Sequence, residues 1–190
     1  MAAHQPEIPH QHAILSGRIQ YIYKRNDAMP IETTTSPNKF NAILKTALLA
    51  GTLDISGAFI HYTILTRNNP VKILYFIASA LLGKDALSGG FAMAALGLFL
   101  HYLIAFIFTV FFFSIYPRLQ FLSKNIVLTG LGYGLFVWLV MNLVVLPLSH
   151  IGLRPFNPIQ STIGILIILF AIGLPIAILT YRYYLKSTQV

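Results

Sequence analysis

The chain has 190 residues, of which 56% are hydrophobic and only 9% charged, and its mean hydropathy is +0.72. A soluble domain carries about a quarter charged residues, so this composition excludes an ordinary water-soluble globule and requires lipid around much of the surface. The net charge of +8 lies on tails and short connections rather than on a basic stripe beside aromatics, which argues against a nucleic-acid partner and for the positive flanks of membrane spans.

Residues 1–39 form a polar leader containing His4, His10 and His12, and the first sustained apolar run begins near Ala47. No cleavable signal is visible, so the first span is expected to stay as an anchor. The composition of the leader predicts a disordered cytoplasmic segment, in which Met29 offers an alternative start. Residues 40–185 hold the apolar domain, and 186–190 make a short cytoplasmic tail.

A hydrocarbon core about 30 Å thick needs roughly 20 apolar residues in a helix. Four windows qualify: Leu44–Leu65, Phe91–Tyr116, Ile126–Leu146 and Ser161–Leu179. Between the first two lies PVKILYFIASALLG, which as a helix reaches only about 20 Å. Asn69 suits its cap, Pro70 its first turn and Gly83 its end. It is predicted to lie at the interface or to dip in and return.

Charge decides whether this segment crosses, because Lys and Arg concentrate on the cytoplasmic side. With four spans and both termini inside, Arg18, Lys24, Arg25, Lys39, Lys45, Arg118, Lys124, Arg182 and Lys186 are inside, against Arg67, Lys72, Lys84 and Arg154 outside. A fifth crossing would nearly equalise the two sides. The expectation is therefore an all-α, polytopic inner-membrane protein with four transmembrane helices, one short interfacial helix and cytoplasmic termini.

Small residues mark where these helices meet, since close backbone approach, not hydrophobicity, drives packing in lipid. On the first span Ala47, Gly51, Asp54, Ala58 and His61 share a face. On the second, Ala94, Gly97, His101 and Ala105 form a comparable strip, and on the third Gly130 and Gly134 are spaced as G-x-x-x-G. These strips predict a packed bundle and suggest a homo-oligomer. Pro175 is expected to bend the fourth span, and TYRYY at Thr180–Tyr184 to anchor it at the interface.

Asp54 is the one carboxylate inside a predicted span. Its ionised form costs roughly 2.5–3.5 kcal/mol at the bilayer centre on insertion scales, so it should face protein or trapped water. At 1.5 Å per residue, Asp54 lies about 14 Å past Lys45, and His101, on a span running the other way, falls at about the same depth. The two are expected to pair. The same arithmetic puts His61 and Asn142 together about 10 Å further along, giving a polar intramembrane seam of Asp54, His61, His101 and Asn142. As a structural seam it would hold helices together, at about 0.6 kcal/mol per hydrogen bond; as a proton or ion path, Asp54 would exchange protons with His101.

Other chemistries find little support. Bis-histidine haem ligation by His61 and His101 fails on their difference in depth, and a zinc site at Asp54 and His101 lacks further ligands. The absence of cysteine excludes disulfides and thiolate ligands. Neither G-x-S-x-G nor a phosphate loop occurs, since GKDALSGG lacks the required spacing. No catalytic residue, metal or cofactor is expected, and His150 and Arg154 read as solvated loop residues. The reading is a non-enzymatic helical bundle, with a proton-linked small permease or channel as the alternative and a lipid- or quinone-handling enzyme as a third class.

The runs LHYLIAFIFTVFFFSIYPRL and GLGYGLFVWLVMNLVVLPL resemble the YagU-like group of small bacterial inner-membrane proteins. The likeness rests on an in-span histidine, an aromatic run ending in a Y-P-R turn, a glycine-rich third span and a Pro-Leu exit. It implies a four-helix inner-membrane fold and carries no catalytic residues.

Overall fold

A computed structural model describes residues 38–152 and 157–188. The leader up to residue 37, with its three histidines, and Arg154 lie outside the described residues. Four helices are long and apolar enough to cross a membrane: Lys39–Thr66, Phe91–Arg118, Ile126–Leu148 and Pro158–Ser187. All described elements are helical, and the chain is an all-α polytopic protein.

The spans outrun the apolar windows because capping, not hydropathy, sets their ends. Asn38 caps the first span by accepting a hydrogen bond from the Phe40 amide at 3.0 Å, so the helix begins before its apolar run. At its far end Arg67 takes a left-handed conformation at φ 56°, closing on the Thr63 carbonyl. Asn125 and Asn157 cap the third and fourth spans by accepting from Leu128 and Gln160. The fourth continues as helix to Thr188, through most of the predicted tail.

The short helix is Val71–Leu82. The Asn69 side chain accepts from the Val71 amide at 2.9 Å, and Gly83 ends the helix at φ 71°, where a Cβ would be strained. Its inner face packs on the second span. A Cβ at Gly97 would run into the Leu74 carbonyl, so the second-span strip meets the short helix at Gly97 and the first span at Ala105. Only the latter contact was expected of a span-to-span face.

Glycines set the other close approaches. A Cβ at Gly51 would lie 3.0 Å from Tyr102 and 3.3 Å from Ala105 of the second span. One at Gly134 would lie 2.7 Å from the Leu169 Cα, and one at Gly130 3.0 Å from the Leu174 Cα. Gly173 of the fourth span fits directly against the Gly130 carbonyl. The G-x-x-x-G face that suggested self-association is thus occupied inside the chain.

Two π-helical turns, Met141–Val145 and Leu169–Gly173, each end two residues before a proline, Pro147 and Pro175. Proline lacks an N–H and its ring crowds the carbonyl four residues back. The wider π turn gives that strain a place to go, with the Leu146 and Leu174 amides reaching back to Met141 and Leu169. The disturbance expected at Pro175 therefore sits in the preceding turn.

Packing links the first span to the second and fourth, and the fourth to the third. The second and third meet through aromatic rings near their connecting loop. Phe112 and Tyr133 rings lie 4.5 Å apart and Phe111 stacks on Phe136 at 5.6 Å, while Tyr116 of the second span stacks on Tyr184 of the fourth at 5.4 Å. Phe112, Phe113, Ile176 and Ala177 are essentially inaccessible there, and Lys39 Nζ sits 5.9 Å over the Tyr184 ring. The densest core is thus at the end of the bundle that holds the loop between the second and third spans.

Replacing Gly134 by valine forces a side chain into the Leu169 backbone and should destabilise the bundle by about 1–3 kcal/mol. Gly132→Ala, two residues away with nothing within 4 Å, should leave the midpoint unchanged. Thermal unfolding of both variants in detergent measures the contrast.

Candidate functional site

Beyond the aromatic contacts the second and third spans separate and flank a half-open cavity of about 570 Å³. Leu100, Ile104 and Phe108 form one wall, and Val137, Met141 and Val145 the other. From Phe108 to Leu100 the wall runs about 12 Å at 1.5 Å per residue. Ile168 and Ile172 of the fourth span, with Asp54 of the first, close the back. The short helix supplies Phe76, Ile77, Ala80 and Leu81, the last residue of the third span supplies Leu148, and the loop after it supplies Ser149 and Ile151.

The short helix and this loop are tied together. The His150 backbone amide donates to the Ala80 carbonyl at 3.0 Å, and His150 Nδ1 approaches the same oxygen at 3.3 Å. His150, expected to be a solvated loop residue, is exposed and also fastens the loop to the short helix. The short helix thereby becomes the roof of the cavity.

Three of the four seam residues, Asp54, His101 and Asn142, border this space. His101 Nε2 lies 2.8 Å from the Gly51 carbonyl, one helical turn before Asp54, so the two side chains share a level. A carbonyl can only accept, hence Nε2 carries the proton, and Nδ1 is an acceptor only when the ring is neutral. His101 and Asp54 line the same cavity. The imidazole nevertheless spends its Nε2–H on the backbone, and no described residue donates a hydrogen bond to the Asp54 carboxylate.

Asn142 does not join His61. It lies in the first π turn and donates through Nδ2 to the Trp138 carbonyl at 2.9 Å, placing its amide at the cavity with Asp54 and His101. Counted from where the helices start, Asn142 lies about as far past Ile126 as Asp54 does past Lys39, so the two share a level. His61 lies ten residues beyond Gly51, about 15 Å along the axis. Its Nε2 is buried and meets no hydrogen-bond partner among the described residues.

The hydrogen bonds that hold spans together come mostly from residues outside the seam. Tyr133 donates to the Phe108 carbonyl at 2.6 Å, Tyr184 donates to the Phe113 carbonyl at 2.8 Å, and Thr52 and Tyr102 share a bond of 2.8 Å. With His101 on Gly51, they link the second span to each of the others. Sequence reasoning passes over Tyr102 and Tyr133 and reads Tyr184 as an interface anchor. A signal was available in Gly-Tyr-Gly at residues 132–134, where a hydroxyl in an apolar span needs an acceptor.

Among the described residues no group of three His, Asp or Glu lies close enough together to hold a metal ion. The chain matches no family model, no curated protein and no solved structure, so the cavity is interpreted from its own chemistry.

Removing the Tyr133 hydroxyl (Tyr133→Phe) loses an interhelical bond worth about 0.6 kcal/mol on average and up to 1.7. Asp54→Asn loses none and removes a buried charge, so it should leave stability unchanged or raise it. Detergent unfolding of the two variants side by side should order them Asp54→Asn above Tyr133→Phe.

Proposed function

We propose that this protein is a non-enzymatic inner-membrane protein whose bundle holds a small, largely apolar molecule in the cavity between the second and third spans. The observation that carries this reading is that Asp54 faces the cavity without a hydrogen-bond donor, while tyrosines and His101 do the interhelical bonding. Magnitudes favour it. An ionised carboxylate costs roughly 2.5–3.5 kcal/mol in a membrane, several times the return of one interhelical hydrogen bond, about 0.6 kcal/mol. As glue alone Asp54 is a net loss; as part of a binding site it has a use. The volume falls within the 300–1,000 Å³ of ordinary ligand sites, which are mostly apolar with a few placed polar groups.

A second reading has one observation behind it: Asp54 and His101 share a level and a cavity, as proton exchange along the bundle would require. If flux is the function, Asp54→Asn abolishes pH-driven transport in liposomes. We also propose membership of the YagU-like group, which the four-span order supports.

The single tryptophan, Trp138, adjoins the cavity residue Val137 and can pass excitation energy to a bound pyrene. Pyrenemethanol, a neutral apolar probe, should quench Trp138 saturably in detergent-solubilised protein. Ala80→Phe, which fills the roof, should weaken that binding at least tenfold. Linear, unsaturable quenching identical in both proteins would dispose of the cavity as a binding site.

The charge distribution supports cytoplasmic termini: Lys39, Lys45, Arg118, Lys124, Arg182 and Lys186 gather at one end and Arg67, Lys72 and Lys84 at the other. Because the chain has no cysteine, Lys84→Cys and Ser187→Cys each give a single labelling site. In intact cells a membrane-impermeant maleimide should label the first and spare the second.

A further inference from the structure

The polar groups around the cavity are unequal in kind. His101 has committed Nε2–H to the Gly51 carbonyl. Ser149 donates its hydroxyl to Leu146 and accepts from the Ile151 amide. Asn142 has given one amide hydrogen to Trp138, which leaves a single N–H. The groups still open are acceptors: both Asp54 carboxylate oxygens, Asn142 Oδ1 and, in the neutral ring, His101 Nδ1. None of the cavity residues is lysine or arginine, so Asp54 is the one group there that can carry a negative charge.

We propose, resting on the reading of the cavity as a binding site, that its ligand is a lipophilic monocation carrying a protonated amine. Charge complementarity selects it. An ammonium group supplies the donors that Asp54 and Asn142 lack, and it neutralises a carboxylate that hydrocarbon tolerates poorly. The apolar body of the ligand fits the aliphatic walls, while the Phe76 and Phe108 rings at the cavity can face a cation. A quinone or other carbonyl ligand would need several free donors, and an anion would meet Asp54 directly. The cavity suits neither. A protonated His101 is the internal competitor for the same carboxylate, and its bond to Gly51 keeps the ring beside Asp54 rather than across the cavity.

Two isosteric probes separate charge from shape: pyrenemethylamine, a cation at neutral pH, and pyrenemethanol, its neutral counterpart. Energy transfer from Trp138 is titrated with each, in wild type and Asp54→Asn. The expected result is that wild type binds the amine at least tenfold more tightly than the alcohol, and that Asp54→Asn removes this preference while still binding the alcohol. Equal affinity of the two probes for wild type, or an amine preference that survives Asp54→Asn, would overturn the cation assignment and leave the cavity as a neutral-ligand site. Saturable binding of neither probe would overturn both readings together. Asp54→Ala, lacking the amide's hydrogen bonds, provides the same comparison should Asp54→Asn fail to assemble.

Discussion

In hydrocarbon, helices gain nothing from hiding apolar surface from one another, so they stay together only where backbones can touch or a polar group finds an acceptor. That constraint fixes the shape of this bundle. Gly51, Gly57, Gly97, Gly130, Gly134 and Gly173 are span glycines where a Cβ would press on a neighbour, and they join the first span to the second and the fourth, the short helix to the second, and the third to the fourth. No such glycine contact joins the second span to the third. Their union depends on rings and on the Tyr133 hydroxyl, all near one end. The opposite end is left apart, and the cavity is the consequence.

The same constraint explains why the short helix has a structural task. Too short to cross a bilayer, it is held by the Gly97 contact on one side and by His150 on the other. It fills the gap that separated spans would leave open, and it leaves a cavity beneath. An aliphatic space with a carboxylate at its back is costly when empty of any counter-group, which is why the polar inventory around it points to a ligand of opposite charge.

The sequence made much of this legible and left specific parts dark. The four spans and the short helix were readable because apolar length and Asn or Gly caps are local signals. The common level of Asp54 and His101 followed from rise per residue alone, since both helices are regular there. Asn142 was misplaced because the first span starts at Lys39 rather than near Lys45, so Asp54 lies about as far into its helix as Asn142 does past Ile126; the Asn38 cap that sets this start lies outside the apolar window. Gly97 was readable as a packing glycine, but its partner was not, because composition does not say which neighbour fills a groove. The tyrosines ending the fourth span were read as interface anchors, whereas Tyr184 turns inward to the Phe113 carbonyl: whether a ring faces headgroups or core is decided by an acceptor on another helix.

The central claim is that the second and third spans touch at one end and stand apart at the other. Pulsed electron paramagnetic resonance on two nitroxide pairs tests it most directly, one pair beside the stacked rings at Val110 and Leu135 and the other at the exposed positions Phe99 and Val144. The account predicts that the first pair reports packed helices, with axes about 8–10 Å apart, and that the second pair is clearly longer. Equal separations at the two levels would mean that the spans run closed along their length and that no cavity exists for Asp54 to face.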